Sequence, residues 1–209
     1  MNDALNEALA SLNIGLDYAA LIEKVRYEFF SADNNGKAFA LSMQGINQGY
    51  SYPLFFYVVG FCYYNGLDVE KNVDKARAYF FKGAEYRDLE GEYLENSYSD
   101  NCKIILIEDY ALNRPGRKMI DNAIALQYYQ LLQDTKFKED ATGLIAIMYM
   151  REEFGCQNLQ KAAQLIQTLD QSNNPEIRRK AEALWREYSV HTDKLKKANK
   201  KGLFSRLFG

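Results

Sequence analysis

The sequence predicts an all-α protein, a solenoid of antiparallel helix pairs with about 8–10 short helices. Three observations lead there. Apolar residues recur at helical spacing along almost all of the 209 residues, and strand-like alternation is scarce. Short polar breaks rich in Asn, Gly and Pro separate the periodic segments. Three helix starts also resemble one another: Asp74-Lys75-Ala76, Asp121-Asn122-Ala123 and Gln160-Lys161-Ala162. The interval between their alanines falls in the range of helical-pair repeats, in which a small residue early in the second helix allows close approach.

Leu21, Ile22, Val25 and Phe29 form the first apolar stripe, with Asp17 as its cap, and Asn34-Asn35-Gly36 breaks the chain after it. Phe39, Met43 and Ile46 mark a second helix, ending near Gln48-Gly49. Pro53 suits the first turn of a third, which runs to about Tyr64 and stops at Asn65-Gly66. Lys75 to Tyr86 follows. Further helices are expected from Cys102 to Leu112, Asp121 to Leu132, Asp140 to Met150 and Leu159 to Leu169. Asn174-Pro175-Glu176 gives a cap, a first-turn proline and a first-turn acid to the last helix, which carries Ile177, Ala181, Leu184 and Tyr188. Residues 1–190 read as one helical-repeat domain, and 191–209 as a basic amphipathic tail.

The composition is that of an ordinary folded protein, 47% hydrophobic and 26% charged, and rich in tyrosine, with 16 Tyr and 12 Phe against one Trp. Tyrosine buries a flat body and keeps a wet tip, which suits thin folds and interfaces. Cys62, Cys102 and Cys156 are odd in number and widely spaced, which argues against a disulfide framework or a zinc site. All three fall in segments that read as helical. The start of the chain, MNDALNEALASLNIGL, has neither the basic opening nor the apolar stretch of a secretory signal, so a cytoplasmic protein is expected. The segment 191–209 holds six basic residues and one acid, a net +5, so the segment 1–190 carries −7. An acidic body lacks the basic folded face that nucleic acid requires.

Tyr57 to Gly66 (YVVGFCYYNG) and Asn72 to Ala84 (NVDKARAYFFKGA) together resemble the Sel-one-like repeat, a relative of the tetratricopeptide repeats. Gly60, Tyr63, Gly66, Asp74, Lys75, Ala76, Phe80, Lys82 and Ala84 match that pattern, with Gly83 in place of an alanine. The segments near 102–134 and 141–171 lack the first-helix glycine. The resemblance implies a right-handed stack of antiparallel helix pairs whose concave groove binds protein, in bacterial signalling, secretion or envelope processes.

Chemistry-bearing motifs are not found. His191 stands alone in the charged tail, and neither a metal-ligating constellation nor a phosphate-cradling glycine loop is present. No catalytic residue, cofactor or metal is therefore expected. The expected function is a non-enzymatic interaction module, an adaptor or an immunity-type inhibitor. Its acidic groove would hold a basic protein partner through Tyr57, Tyr64, Tyr98, Asp109 and Tyr149. The other reading is a peripheral protein at the inner face of the membrane. There Lys200, Lys201, Leu203, Phe204, Arg206, Leu207 and Phe208 would form a tail that docks on anionic lipid or on a partner.

Overall fold

The computed structural model describes residues 17–85, 98–112 and 120–208, with side chains described through Lys197. Among these residues the chain is all-α and contains no strand. Helix α1 covers residues 17–26 and continues into a π-helical turn, Tyr27–Ser31. The helices that follow are α2 (Asn35–Asn47), α3 (Pro53–Asn65), α4 (Val73–Glu85), α5 (Tyr98–Leu112), α6 (Asn122–Leu131), α7 (Lys138–Met150), α8 (Leu159–Asp170) and α9 (Pro175–Phe208). A 3-10 turn, Glu152–Phe154, follows α7. Two compact units, Met1–Ile105 and Leu106–Gly209, divide the chain within α5.

One device opens all four even-numbered helices. Asn34, Asn72, Asp121 and Asn158 each accept a hydrogen bond at the side-chain oxygen from the backbone N–H three residues on. The backbone carbonyl of each accepts from an alanine N–H four residues on: Ala38, Ala76, Ala125 and Ala162. All four alanines are fully buried. The cap satisfies donors that the first turn leaves orphaned, and the alanine, one turn later, is small enough for a neighbouring helix to lie close. The interval from the second cap to the third is visibly longer than the intervals on either side of it.

This recurrence corrects the register read from sequence. Ala123 is exposed, and Ala125 is the buried counterpart of Ala76 and Ala162. The cap of α6 is Asp121, whereas α4 is capped by Asn72 rather than Asp74, so aligning the two aspartates slips the middle helix by two positions.

In the first unit α3 is apolar all round, as a helix enclosed on several sides should be. Pro53 opens it, and Gly66 closes it at φ 74°, with the Gly66 and Leu67 N–H groups both donating to the Cys62 carbonyl. Helices α2 and α4 run along α3 in the opposite direction. On one side Asn35 approaches Cys62 and Gly45 approaches Phe55. On the other, Tyr63 stacks on Tyr79, Gly60 faces Phe80, and Gly83 lies against Phe56. The three glycines leave room that a methyl group would occupy, for the rings of Phe55 and Phe80 and, at Gly83, for Cys102 Sγ. A Cβ on Gly60 would come 2.7 Å from the Phe80 ring, and one on Gly45 would come 2.6 Å from that of Phe55. Each fully buried ring of this kind contributes roughly 1.5–3 kcal/mol.

In the second unit α8 packs against both α7 and α9, and α7 also touches α9. The pairs Tyr149 with Lys161 and Gly143 with Leu169 make α8 antiparallel to α7. Asp140 with Lys180, Gly143 with Leu184 and Arg151 with Glu187 make α9 parallel to it. Ala146, Met150, Ala162, Ile166, Leu169, Ile177, Ala181 and Leu184 form the core between them. The Tyr110 hydroxyl donates to Asn122 Oδ1 at 2.8 Å, and Asn122 Nδ2 donates to the Phe154 carbonyl at 2.7 Å. These bonds tie the end of α5 to α6 and the 3-10 turn.

Three boundaries differ from the sequence reading. Helix α5 begins at Tyr98 rather than near Cys102, because Ser99 is buried and donates to the Ala84 carbonyl while Lys103 bonds Ser99 and Asp100. Cys156 lies in the connection before α8 and not in a helix. Helix α9 runs on through 191–208, where good helix formers continue and the lysines suit the negative end of the helix dipole.

Two expectations follow from this packing. Gly60→Ala should lower the stability of the first unit by about 1–3 kcal/mol, read as a lower urea midpoint, and adding Phe80→Leu should recover part of the loss. Cys62 is fully buried, and burial, with Asp68 adding to it, pushes its thiol pKa up to about 11. Cys62 should therefore resist alkylation in the folded chain near pH ~8.5, where the partly exposed Cys156 reacts. The folded state holds the Cys62 proton more tightly than the unfolded chain does. Stability should thus fall as pH rises from the ordinary thiol range towards 11, and Cys62→Ala should flatten that slope.

Candidate functional site

The π-helical turn at the end of α1 builds the site. Ala32 N–H donates to the Tyr27 carbonyl five residues back, which widens the turn. Two consecutive rings thereby find partners in neighbouring helices. Phe29 meets Tyr57 and Phe61 of α3 edge-on, with centroids at 6.1 and 5.5 Å. Phe30 stacks on Tyr98 of α5 at 6.1 Å and 26°. Tyr57 lies 5.9 Å from the same Tyr98 ring. Phe30, Tyr57, Tyr98 and Asn101 line a cavity of about 300 Å³. Phe30 is 55% exposed and Tyr27 62%, so this turn presents two large rings to solvent.

Arg26 fixes the wall behind the rings. Its guanidinium carbon lies 5.9 Å from the Tyr98 centroid, Nη1 pairs with Glu23 at 2.9 Å, and Nη2 donates to the Tyr52 hydroxyl at 3.4 Å. Burial opposes the Arg26 charge, yet Tyr98, Tyr52 and Glu23 outweigh it and hold its pKa above the ordinary value. Burial, together with Cys102 and Tyr98, likewise raises the Tyr57 phenol, which stays protonated at neutral pH. Lys37 pairs with the buried Glu28, so the π-helical turn is also tied to α2. The result is a fixed cup of three rings and one amide, chemically suited to an apolar or aromatic side chain.

The second unit holds a different feature, a charged cleft of about 840 Å³ whose lining includes Arg151, Glu152, Glu153, Gln157, His191 and Lys194. Arg151 is its fixed element. Nε and Nη2 contact Glu187 at 3.1 and 3.0 Å, and Nη1 donates to the Ala111 carbonyl at 3.1 Å. His191 Nε2 stands 3.9 Å from the same Glu187 carboxylate. Among the described residues, no group of three or more His, Cys, Asp and Glu side chains is placed to hold a metal ion.

Of the five residues expected to line a groove, the structure brings Tyr57 and Tyr98 together. Tyr98 is only 9% exposed and contributes a wall rather than a free face. Tyr64 is half-buried with its ring 6.4 Å from Phe80. Tyr149 belongs to the second unit, where Lys161 Nζ lies 5.3 Å from its ring. Asp109 is 8% exposed, which leaves its carboxylate little surface for a partner. The side chains of Lys200, Lys201, Leu203, Phe204, Arg206, Leu207 and Phe208 lie outside the described residues, although the backbone there is helical. Sequence reasoning missed Phe30 and Asn101. The signal for Phe30 was the Phe29-Phe30 doublet, whose second ring falls off the α-helical stripe. His191, which looked isolated in sequence, shares its cleft with Arg151 from the far end of α7.

The chain matches no protein-family model, no curated protein and no solved structure.

Arg151 links the end of α7 to α9 and to the last turn of α5. Arg151→Ala should cost the second unit about 1–3 kcal/mol by leaving the Glu187 and Ala111 oxygens without their donor. Arg151→Lys should restore only part, because one ammonium cannot reproduce the forked contacts. Urea unfolding of the two variants beside the parent chain checks both outcomes.

Proposed function

We propose that the chain is a non-enzymatic helical-repeat interaction module that holds a protein partner through the aromatic cup of its first unit. The observation that carries this reading is the pairing of an exposed ring, Phe30, with a preformed cavity walled by Tyr57 and Tyr98. Rigid aromatic walls beside an exposed ring are the usual anchor of a protein interface. The recurring cap and buried alanine of α2, α4, α6 and α8 support a repeat architecture within each unit. So does the Sel-one-like resemblance of Tyr57–Ala84, whose Gly60 sits at a close contact between helices. In this reading each unit is a short stack of helix pairs.

The partner is basic. The segment 1–190 carries −7, so a cationic protein is drawn towards the chain before the cup engages one of its apolar side chains. Holding such a partner serves equally as an adaptor or as an inhibitor that occupies the partner's working face.

Photo-crosslinking in cells tests the reading, with a crosslinkable residue at position 30 and, as a control, at the exposed Glu182 of α9. Position 30 should give a discrete protein adduct that position 182 does not. With the captured partner purified, Phe30→Ala should weaken binding at least roughly tenfold, and added salt should weaken it further. Identical adducts from both positions would count against the cup. So would an affinity that neither Phe30→Ala nor Tyr57→Ala changes.

A further inference from the structure

Helix α9 extends far beyond the part of it that the second unit buries. Its buried side chains are Ile177, Ala181 and Leu184, half-buried ones that include Trp185, Tyr188 and His191 continue to Leu195, and Lys196 and Lys197 are exposed. Val190 is 54% exposed, and Asp193, Lys194, Lys196 and Lys197 are exposed as well. The helical backbone nevertheless continues to Phe208. Thirteen residues past Leu195 correspond to about 20 Å of helix.

The order of residue types along that extension is not random. Positions 196, 200, 204 and 208 follow one another at four-residue steps, as do 197 and 201, and 203 and 207. They are Lys, Lys, Phe, Phe; Lys, Lys; and Leu, Leu. Helical register therefore gathers 196, 197, 200 and 201 on the same side as 203, 204, 207 and 208, one to two turns earlier. Lysines come first and apolar residues follow. From position 200 the axial rise is about 6 Å to position 204 and about 12 Å to position 208. An inclined helix so arranged sets ammonium groups at lipid phosphates while the following two turns enter the acyl boundary.

We infer that the 196–208 segment of α9 is a reversible binding element for anionic lipid bilayers. Charge complementarity selects this occupant: residues 191–209 carry +5 in a chain whose remainder carries −7, and an anionic leaflet attracts the first while repelling the second. The contact is superficial, since among the described residues no helix is long and apolar enough to cross a membrane. It is independent of the aromatic cup, so either role stands if the other fails.

Co-sedimentation of the full chain with vesicles tests the inference. The chain should pellet with phosphatidylcholine vesicles containing a minority of phosphatidylglycerol, and stay in solution with phosphatidylcholine alone. Lys200→Glu with Lys201→Glu should weaken binding at least roughly tenfold, since each basic residue near such a surface is worth about a fivefold gain. Phe204→Asp with Leu207→Asp should abolish it. Circular dichroism and the urea midpoint should be unchanged in both variants, because all four positions lie in sequence beyond the buried stripe that ends at Leu184. A parent chain that remains in the supernatant with anionic vesicles would overturn the inference. Equal pelleting with neutral lipid, or binding retained by the Phe204→Asp, Leu207→Asp variant, would do the same.

Discussion

The close approach of helices at an alanine set one turn beyond an Asx cap is the constraint on which the rest of the structure depends. A cap fixes where α2, α4, α6 and α8 begin, and so fixes which residue reaches the core first. Because that residue is Ala38, Ala76, Ala125 or Ala162, a neighbouring helix can lie against the backbone itself. Everything after it in the helix inherits the register. The position eleven residues after each cap is Gly45, Gly83, Leu132 and Leu169 in turn, and all four are buried. The first unit uses that position for closeness and the second for bulk.

The difference shapes the two halves of the chain. Where Gly45 and Gly60 leave space, the rings of Phe55 and Phe80 press into it, and Cys102 does so at Gly83, so aromatic rings take a large share of the packing in the first unit. Rings are rigid and few-angled, so a surplus ring at the edge of such a core is held in place rather than left to wander. Phe30 is that surplus ring. The widened turn at Tyr27–Ser31 brings it against Tyr98 instead of into the α-helical stripe, and the cavity beside it follows. In the second unit Ile166, Leu169 and Leu184 fill the space between helices with aliphatic packing. Its cleft is polar, organised by Arg151 and Glu187.

Much of the local architecture was legible in the residues. Pro53 and Gly66 bounded α3, Asn174-Pro175-Glu176 opened α9, and the stripe Leu21, Ile22, Val25 was the buried face of α1. These signals work because caps, prolines and glycines act within one turn of the chain. What the sequence concealed depends on contacts between distant positions. Tyr98 and Asp109 were expected to line a groove open to a partner, yet packing buries both. The earlier start of α5 depends on Ser99 reaching Ala84, and the charged cleft depends on Arg151 reaching Glu187 and Ala111. No local propensity encodes such pairings. The start of α6 slips by two positions against that of α4 when Asp74 and Asp121 are treated as equivalent, and only hydrogen-bond partners distinguish a cap from an acid inside the first turn.

The unequal intervals between the caps at positions 34, 72, 121 and 158 have a consequence for how such a chain changes over time. One residue inserted between Asn72 and Ala76 would rotate the rest of α4 by about 100° and take Phe80 out of its slot. Residues added in an exposed part of a connection would leave the register of the following helix unchanged. Such a chain therefore tolerates added length in those connections and not in the first turns of its helices.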